Sequence, residues 1–120
     1  MNRRQKGAEK EQLAAEYLER QGMRIAARNF RGRQGEIDLI GYHQGYLVFI
    51  EVKYRRTQES GSALGAVGAA KQRRICATAD YYRCLHGLGE FTPVRYDVVA
   101  VQGEEIFWVP NAFPHIYIRG

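Results

Sequence analysis

Glu51 and Lys53 close an apolar run, Leu47-Val48-Phe49-Ile50-Glu51-Val52-Lys53, and Asp38 lies in a second such segment just upstream, Glu36-Ile37-Asp38-Leu39-Ile40. In an extended chain successive side chains alternate faces, so Leu47, Phe49, Glu51 and Lys53 share one side and Val48, Ile50 and Val52 the other. The two segments flank Tyr42-His43-Gln44-Gly45-Tyr46 and have the pattern of antiparallel strands joined by a short loop. With a four-residue loop from His43 to Tyr46, Tyr42 pairs with Leu47. The same register then sets Asp38 opposite Glu51 and Glu36 opposite Lys53.

Two carboxylates facing each other at about 4 Å cost roughly 4 kcal/mol at an effective dielectric near 20, so a cation, a proton or solvent must relieve them. A divalent metal does so economically, and an all-oxygen site without His or Cys suits Mg2+ or Mn2+ better than Zn2+. Lys53 beside it would orient or activate an attacking water and offset phosphate charge. The same residues also satisfy a solvent-exposed salt-bridge ladder at a sheet end.

A further acid points the same way. At about 100° per residue along a helix, Glu11 falls inside the arc of Ala14, Ala15 and Leu18, whereas Glu9 and Glu16 point away. A carboxylate aimed at a core needs a partner, either an Arg at the helix edge or the same metal site, reached by hydrogen bonds or through water.

The elements that must position these groups are legible in outline. Apolar periodicity predicts a helix from Ala8 to Arg20, stopped by Gly22, and a strand from Met23 to Phe30. The hairpin strands are Glu36 to Ile40 and Leu47 to Tyr54. A polar loop, Thr57 to Ser62, leads to a second helix from about Ala66 to Leu85 with Ile75, Ala79 and Tyr82 on its inner face. Val94 to Val101 is a buried strand, Gln102-Gly103-Glu104 a turn, and Ile106 to Val109 a last short strand before a Pro-containing tail. A right-handed crossover makes the third and fourth strands parallel. The fold class is therefore α/β, order αβββαββ, with a mixed central sheet flanked by helices, in a single domain spanning residues 1–120.

Composition narrows the function classes. Lys plus Arg number 18 against 13 Asp plus Glu, a formal charge of +5 that fits either a polyanionic partner or a merely basic protein. The N-terminus lacks the apolar core of a secretory signal, and the longest uncharged run, Ile106 to Ile118, is interrupted by Pro110 and Pro114. No membrane span is expected, and a cytoplasmic location is. Cys76 and Cys84, eight apart on a helix, form neither a metal motif nor a disulfide framework, as in a reducing compartment. The segment Gly61 to Lys71 is Gly-rich but lacks the Gly-Lys-Ser/Thr ending of a phosphate-binding loop. His43, His86 and His115 are scattered, with no Gly-x-Ser-x-Gly, which sets aside serine or cysteine hydrolases. The eight Tyr and Trp108 show no paired aromatic pattern of an RNA-recognition platform.

Gly35-Glu36-Ile37-Asp38-Leu39-Ile40 followed by Leu47-Val48-Phe49-Ile50-Glu51-Val52-Lys53-Tyr54-Arg55 resembles the signature of the bacterial YraN family, also called UPF0102. Further matches are Gly7, Glu11 and Ala14-Ala15-Glu16-Tyr17-Leu18, then Arg28-Asn29-Phe30, Lys71-Gln72-Arg73-Arg74, Arg95-Tyr96-Asp97-Val98-Val99 and Asn111-Ala112-Phe113. One departure is Lys10, where members often carry Gly before the helical Glu. That family looks like the PD-(D/E)XK nucleases, with a restriction-endonuclease-like core similar to Holliday-junction resolvases.

The resemblance implies that Asp38 and Glu51 bind Mg2+ (or Mn2+) with the Val52 carbonyl as a further ligand, that Lys53 is the catalytic lysine, and that Glu11 is an accessory acid. The implied activity is that of a metal-dependent endonuclease hydrolysing phosphodiester bonds, with branched or structured DNA as substrate. Arg31, Arg33, Arg55, Arg56, Lys71, Gln72, Arg73 and Arg74 flank the site as candidates for phosphate contacts, and Lys71, one turn before Ile75, faces the sheet more than its neighbours. A homodimer follows by analogy, because two symmetric cuts need two sites. Two other functions stay open: a non-catalytic nucleic-acid-binding protein with the nuclease fold, and a partner-binding protein whose apolar tail, Phe107 to Ile118, docks another chain.

Overall fold

The computed structural model describes residues 3–55 and 66–117. Small residues decide how the first helix, α1 (Arg3–Arg20), meets the rest of the chain. Ala14, Ala15 and Leu18 are fully buried, and the two alanines let the helix lie close to the sheet beneath. Its end is fixed by a paired motif: the Gly22 amide donates to the Glu19 carbonyl and the Met23 amide to the Leu18 carbonyl, with Gly22 at φ 96°. The helix starts before the Ala8 expected from periodicity.

Five strands, β1 (Arg24–Arg31), β2 (Glu36–His43), β3 (Tyr46–Arg55), β4 (Val94–Gln102) and β5 (Glu105–Phe113), form one sheet in the order β1-β2-β3-β4-β5. β3 and β4 are parallel and are connected through α2 (Ala69–Leu85), while the other neighbours are antiparallel. The architecture is thus the expected mixed α/β arrangement, αβββαββ, consistent with a restriction-endonuclease-like fold.

The helices lie on opposite faces. α1 covers Leu39, Val48, Ile50, Val99 and Val101, whereas Ile75, Cys76, Ala79 and Tyr82 of α2 cover Ile37, Ile40, Leu47, Phe49 and Tyr96. β3, in the middle of the sheet, is therefore apolar on both sides over Leu47 to Ile50, as a strand covered on two faces must be. Cys76 is buried in this core and Cys84 is exposed, and neither forms a disulfide. Among the described residues no helix is long and apolar enough to cross a membrane.

Two further sequence expectations are corrected. The hairpin loop is Gln44-Gly45, not four residues: His43 pairs with Tyr46, and both loop residues have positive φ (51° and 84°), the two-residue turn whose twist matches the strands. The register is unchanged, because a shorter loop merely adds one pair to the ladder. The last strand is also longer than Ile106 to Val109. It runs through Pro110 to Phe113 because β5 is an edge strand, where a missing amide is tolerated, and because it bulges between the Val98↔Val109 and Tyr96↔Phe113 pairs. Most of the supposed apolar tail is thereby part of the sheet. Thr57 to Ser62 and Ile118 lie outside the described residues.

Candidate functional site

The β2–β3 ladder runs from His43↔Tyr46 to Leu39↔Ile50 and ends there. β2 stays with β1 as far as Arg31↔Glu36, and β3 stays with β4 as far as Arg55↔Gln102. The sheet therefore opens between its second and third strands, and Asp38 and Glu51 are the first residues past the fork. The Asp38 carboxylate fills part of the gap, its Oδ2 accepting a hydrogen bond from the Val52 amide at 2.8 Å. In an extended strand the amide and carbonyl of one residue face the same edge, so the Val52 carbonyl is turned toward the edge where Asp38 sits.

Glu51 projects on the α2 face and is nearly buried. Lys71, from the first turns of α2, reaches it with Nζ at 2.5 Å from Oε1. The periodicity that aimed Lys71 at the sheet thus locates the partner of Glu51. Lys53, two residues on and half-buried, lies beside Ala100 of β4. The register did not extend to a Glu36–Lys53 pair: the ladder ends first, and Glu36 instead bridges to Arg31 on β1 at 3.6 Å.

The electrostatics follow from crowding acids at this fork. Removal from water, with the Glu51 charge second, pushes the Asp38 carboxyl up to about 7; the Val52 amide opposes this, and Glu11 and Glu36 add to it. Burial also raises Glu11. A hydrogen bond from the Asn29 side chain and the Arg28 charge oppose that shift, while Glu36 and Glu51 reinforce it. Glu11 on α1, Glu36 and Asp38 on β2 and Glu51 on β3 therefore share one field. Asn29 was missed by sequence reasoning. Its φ of 51° is a left-handed conformation that Asn tolerates, and an Asn inside a weak strand was the available signal.

Among the described residues no three His, Cys, Asp or Glu side chains draw together as a cage for an ion. Asp38, Glu51 and the Val52 carbonyl make an open oxygen set, the kind that suits a hard cation completed by water and substrate phosphate. Glu11 adds its negative charge to the field around Asp38.

The basic candidates separate. Arg31 and Arg33 line a cavity shared with α2. Arg73 and Arg74 are exposed on α2, whereas Gln72 donates its side-chain amide to the Val67 carbonyl at 2.8 Å, which ties down the start of the helix. Arg55 ends β3, and Arg56 lies outside the described residues.

The profile of a family described as "Uncharacterised protein family UPF0102" matches residues 10–101, a span that holds every one of these acidic and basic groups. A UPF0102 protein of Lachnoclostridium phytofermentans is 50% identical over 113 residues, covering 94% of this chain and 96% of the relative. UPF0102 proteins of Colwellia psychrerythraea and Nitrosococcus oceani are each 43% identical, covering 90% and 92% of this chain and 88% and 92% of theirs. With the family profile spanning most of the sequence and relatives this similar along nearly their whole length, the chain belongs to the UPF0102 family.

Proposed function

We propose that this protein is a Mg2+- or Mn2+-dependent endonuclease of the PD-(D/E)XK kind that hydrolyses phosphodiester bonds in branched or structured DNA. The observation that carries this is the meeting of Asp38 and Glu51 at the fork between β2 and β3, with Lys53 following on the same strand. The net charge of +5 suits a polyanionic substrate. A cytoplasmic location and a homodimer placing two sites on one substrate belong to the same proposal.

The side chains have separable tasks. The Val52 amide holds the Asp38 carboxylate in the gap, and Lys71 holds Glu51 from the helix side. When bound, a divalent cation at these oxygens supplies polarisation of the phosphate and a more acidic water. The Lys53 ammonium balances negative charge as it develops on the phosphate, and Glu11 adjusts the field from α1. No covalent intermediate with the protein is required.

Labelled linear, flapped, splayed and four-way-junction DNA, incubated with Mg2+ or Mn2+, tests this directly. Cutting is expected to need metal and to fall by about 100-fold or more in Asp38→Ala and Lys53→Ala. Binding without cutting on every substrate contradicts it. A DNA-binding protein that keeps the fold without catalysis gains support from the Lys71–Glu51 pair, which neutralises Glu51 with no metal. In that case DNA affinity survives Asp38→Ala and the wild type does not cut.

A further inference from the structure

Two glycines bring the β1–β2 connection down onto α2. The Gly32 amide donates to the Gly35 carbonyl at 2.9 Å, closing a tight loop. A Cβ at Gly32 would stand 3.1 Å from the Tyr81 ring, and one at Gly35 would stand 3.4 Å from the Arg74 Cβ. Arg33 and Gln34, between the glycines, are exposed. Beside this contact lies a cavity of about 410 Å3, walled by Arg31 from the end of β1, by Arg33 and Gln34 from the loop and by Ala77, Thr78 and Tyr81 from the helix.

Its chemistry is selective. The lining holds two guanidinium groups, one amide and one aromatic ring, and no carboxylate. Tyr81 keeps 47% of its surface exposed, yet its ring is steadied by Phe30, with centroids 5.8 Å apart. The volume falls within the range that takes a small ligand, and a ring beside two arginines is the combination that receives a base and its phosphate. Location adds to this. Arg31 bridges to Glu36, and Asp38 is two residues further along β2, roughly 7 Å at the rise of a strand. A nucleotide held here would leave its neighbour in the chain within reach of the acidic fork.

We propose that this cavity receives one unpaired nucleotide of a DNA substrate, its base stacked on Tyr81 and its phosphate held by Arg31 and Arg33, so that the protein selects DNA with an unstacked nucleotide next to a duplex. This rests on the endonuclease function proposed above and names the feature of the substrate that the site reads.

The test is equilibrium binding in EDTA, with the Asp38→Asn protein so that no strand is cut. Three labelled DNAs are compared: a perfect duplex, the same duplex with one extrahelical nucleotide, and that DNA with the extrahelical position abasic. The abasic form keeps the phosphate and loses the ring. Binding of the extrahelical nucleotide is expected to exceed that of its abasic counterpart by about tenfold. Tyr81→Ala should remove the difference, and Tyr81→Phe should keep it and so exclude a folding defect. Equal affinity for the base-bearing and abasic forms, or a preference that survives Tyr81→Ala, overturns the proposal. Discrimination in a protein that never cuts DNA would sustain the pocket while refuting the nuclease. Metal-dependent cutting without discrimination would refute the pocket alone.

Discussion

Two aspartates flank β3, one on each side, and the sheet treats them in opposite ways. Asp97 on β4, level with Ile50, is 1% exposed and fully engaged. Its two oxygens accept from Arg95 Nε and Nη2, from the Trp108 indole and from the Asn111 amide, each at 2.9 Å. Arg95 in turn meets His43 Nδ1 at 3.0 Å and lies over the Tyr46 and Trp108 rings. Asp38 on β2 is less buried, accepts from the Val52 amide, and sits in the field of Glu51, Glu11 and Glu36. The contrast separates a structural acid from a poised one. Burial alone does not distinguish the two carboxylates; the like charges gathered around Asp38 and the donors gathered around Asp97 do.

The largest effect expected from this contrast is at Asp97. Asp97→Ala leaves the Arg95 guanidinium buried without its counter-charge and should cost about 3–5 kcal/mol in urea unfolding. A loss below about 1 kcal/mol would show that the network is not what secures β5 and its bulge.

At Asp38 the sign reverses. Its folded-state pKa of about 7 lies above the ordinary carboxylate value, so the folded chain binds this proton more tightly than the unfolded chain. That contribution is fully present below about pH 4 and is lost as the pH rises through about 7. Asp38→Asn, which keeps an oxygen for the Val52 amide, should therefore make the protein more stable than wild type at about pH 8, by about 4 kcal/mol. The advantage should vanish near pH 4. Parallel stability curves for the two proteins between these pH values would remove the electrostatic distinction from Asp97.

Alternation on β3 and the register of one hairpin were enough to bring Asp38 and Glu51 together from sequence, and helical spacing found Glu11 and Lys71. Each of these depends on a local period and on which face is apolar. The opening of the sheet past Leu39↔Ile50 was not legible, because it depends on β2 following β1 while β3 follows β4, a competition between non-local ladders. The passage of β5 through Pro110 was hidden for a related reason: Pro ends most strands, and only its edge position makes it acceptable here. Asp97 was not singled out within the strand Val94 to Val101, because only one of its partners, Arg95, is its neighbour on β4, while Trp108 and Asn111 reach it from β5 through pairing that no local period shows.

The most direct test of the poised acid is calorimetric titration of wild type and Asp38→Asn with Mn2+ at about pH 6 and about pH 8. A cation that takes the place of the Asp38 proton must bind more tightly at the higher pH and release a proton on binding at the lower one. The expected result is that pattern in the wild type and its loss in Asp38→Asn. Binding that is indifferent to pH and to the substitution would contradict the assignment of Asp38 and Glu51 as the cation site.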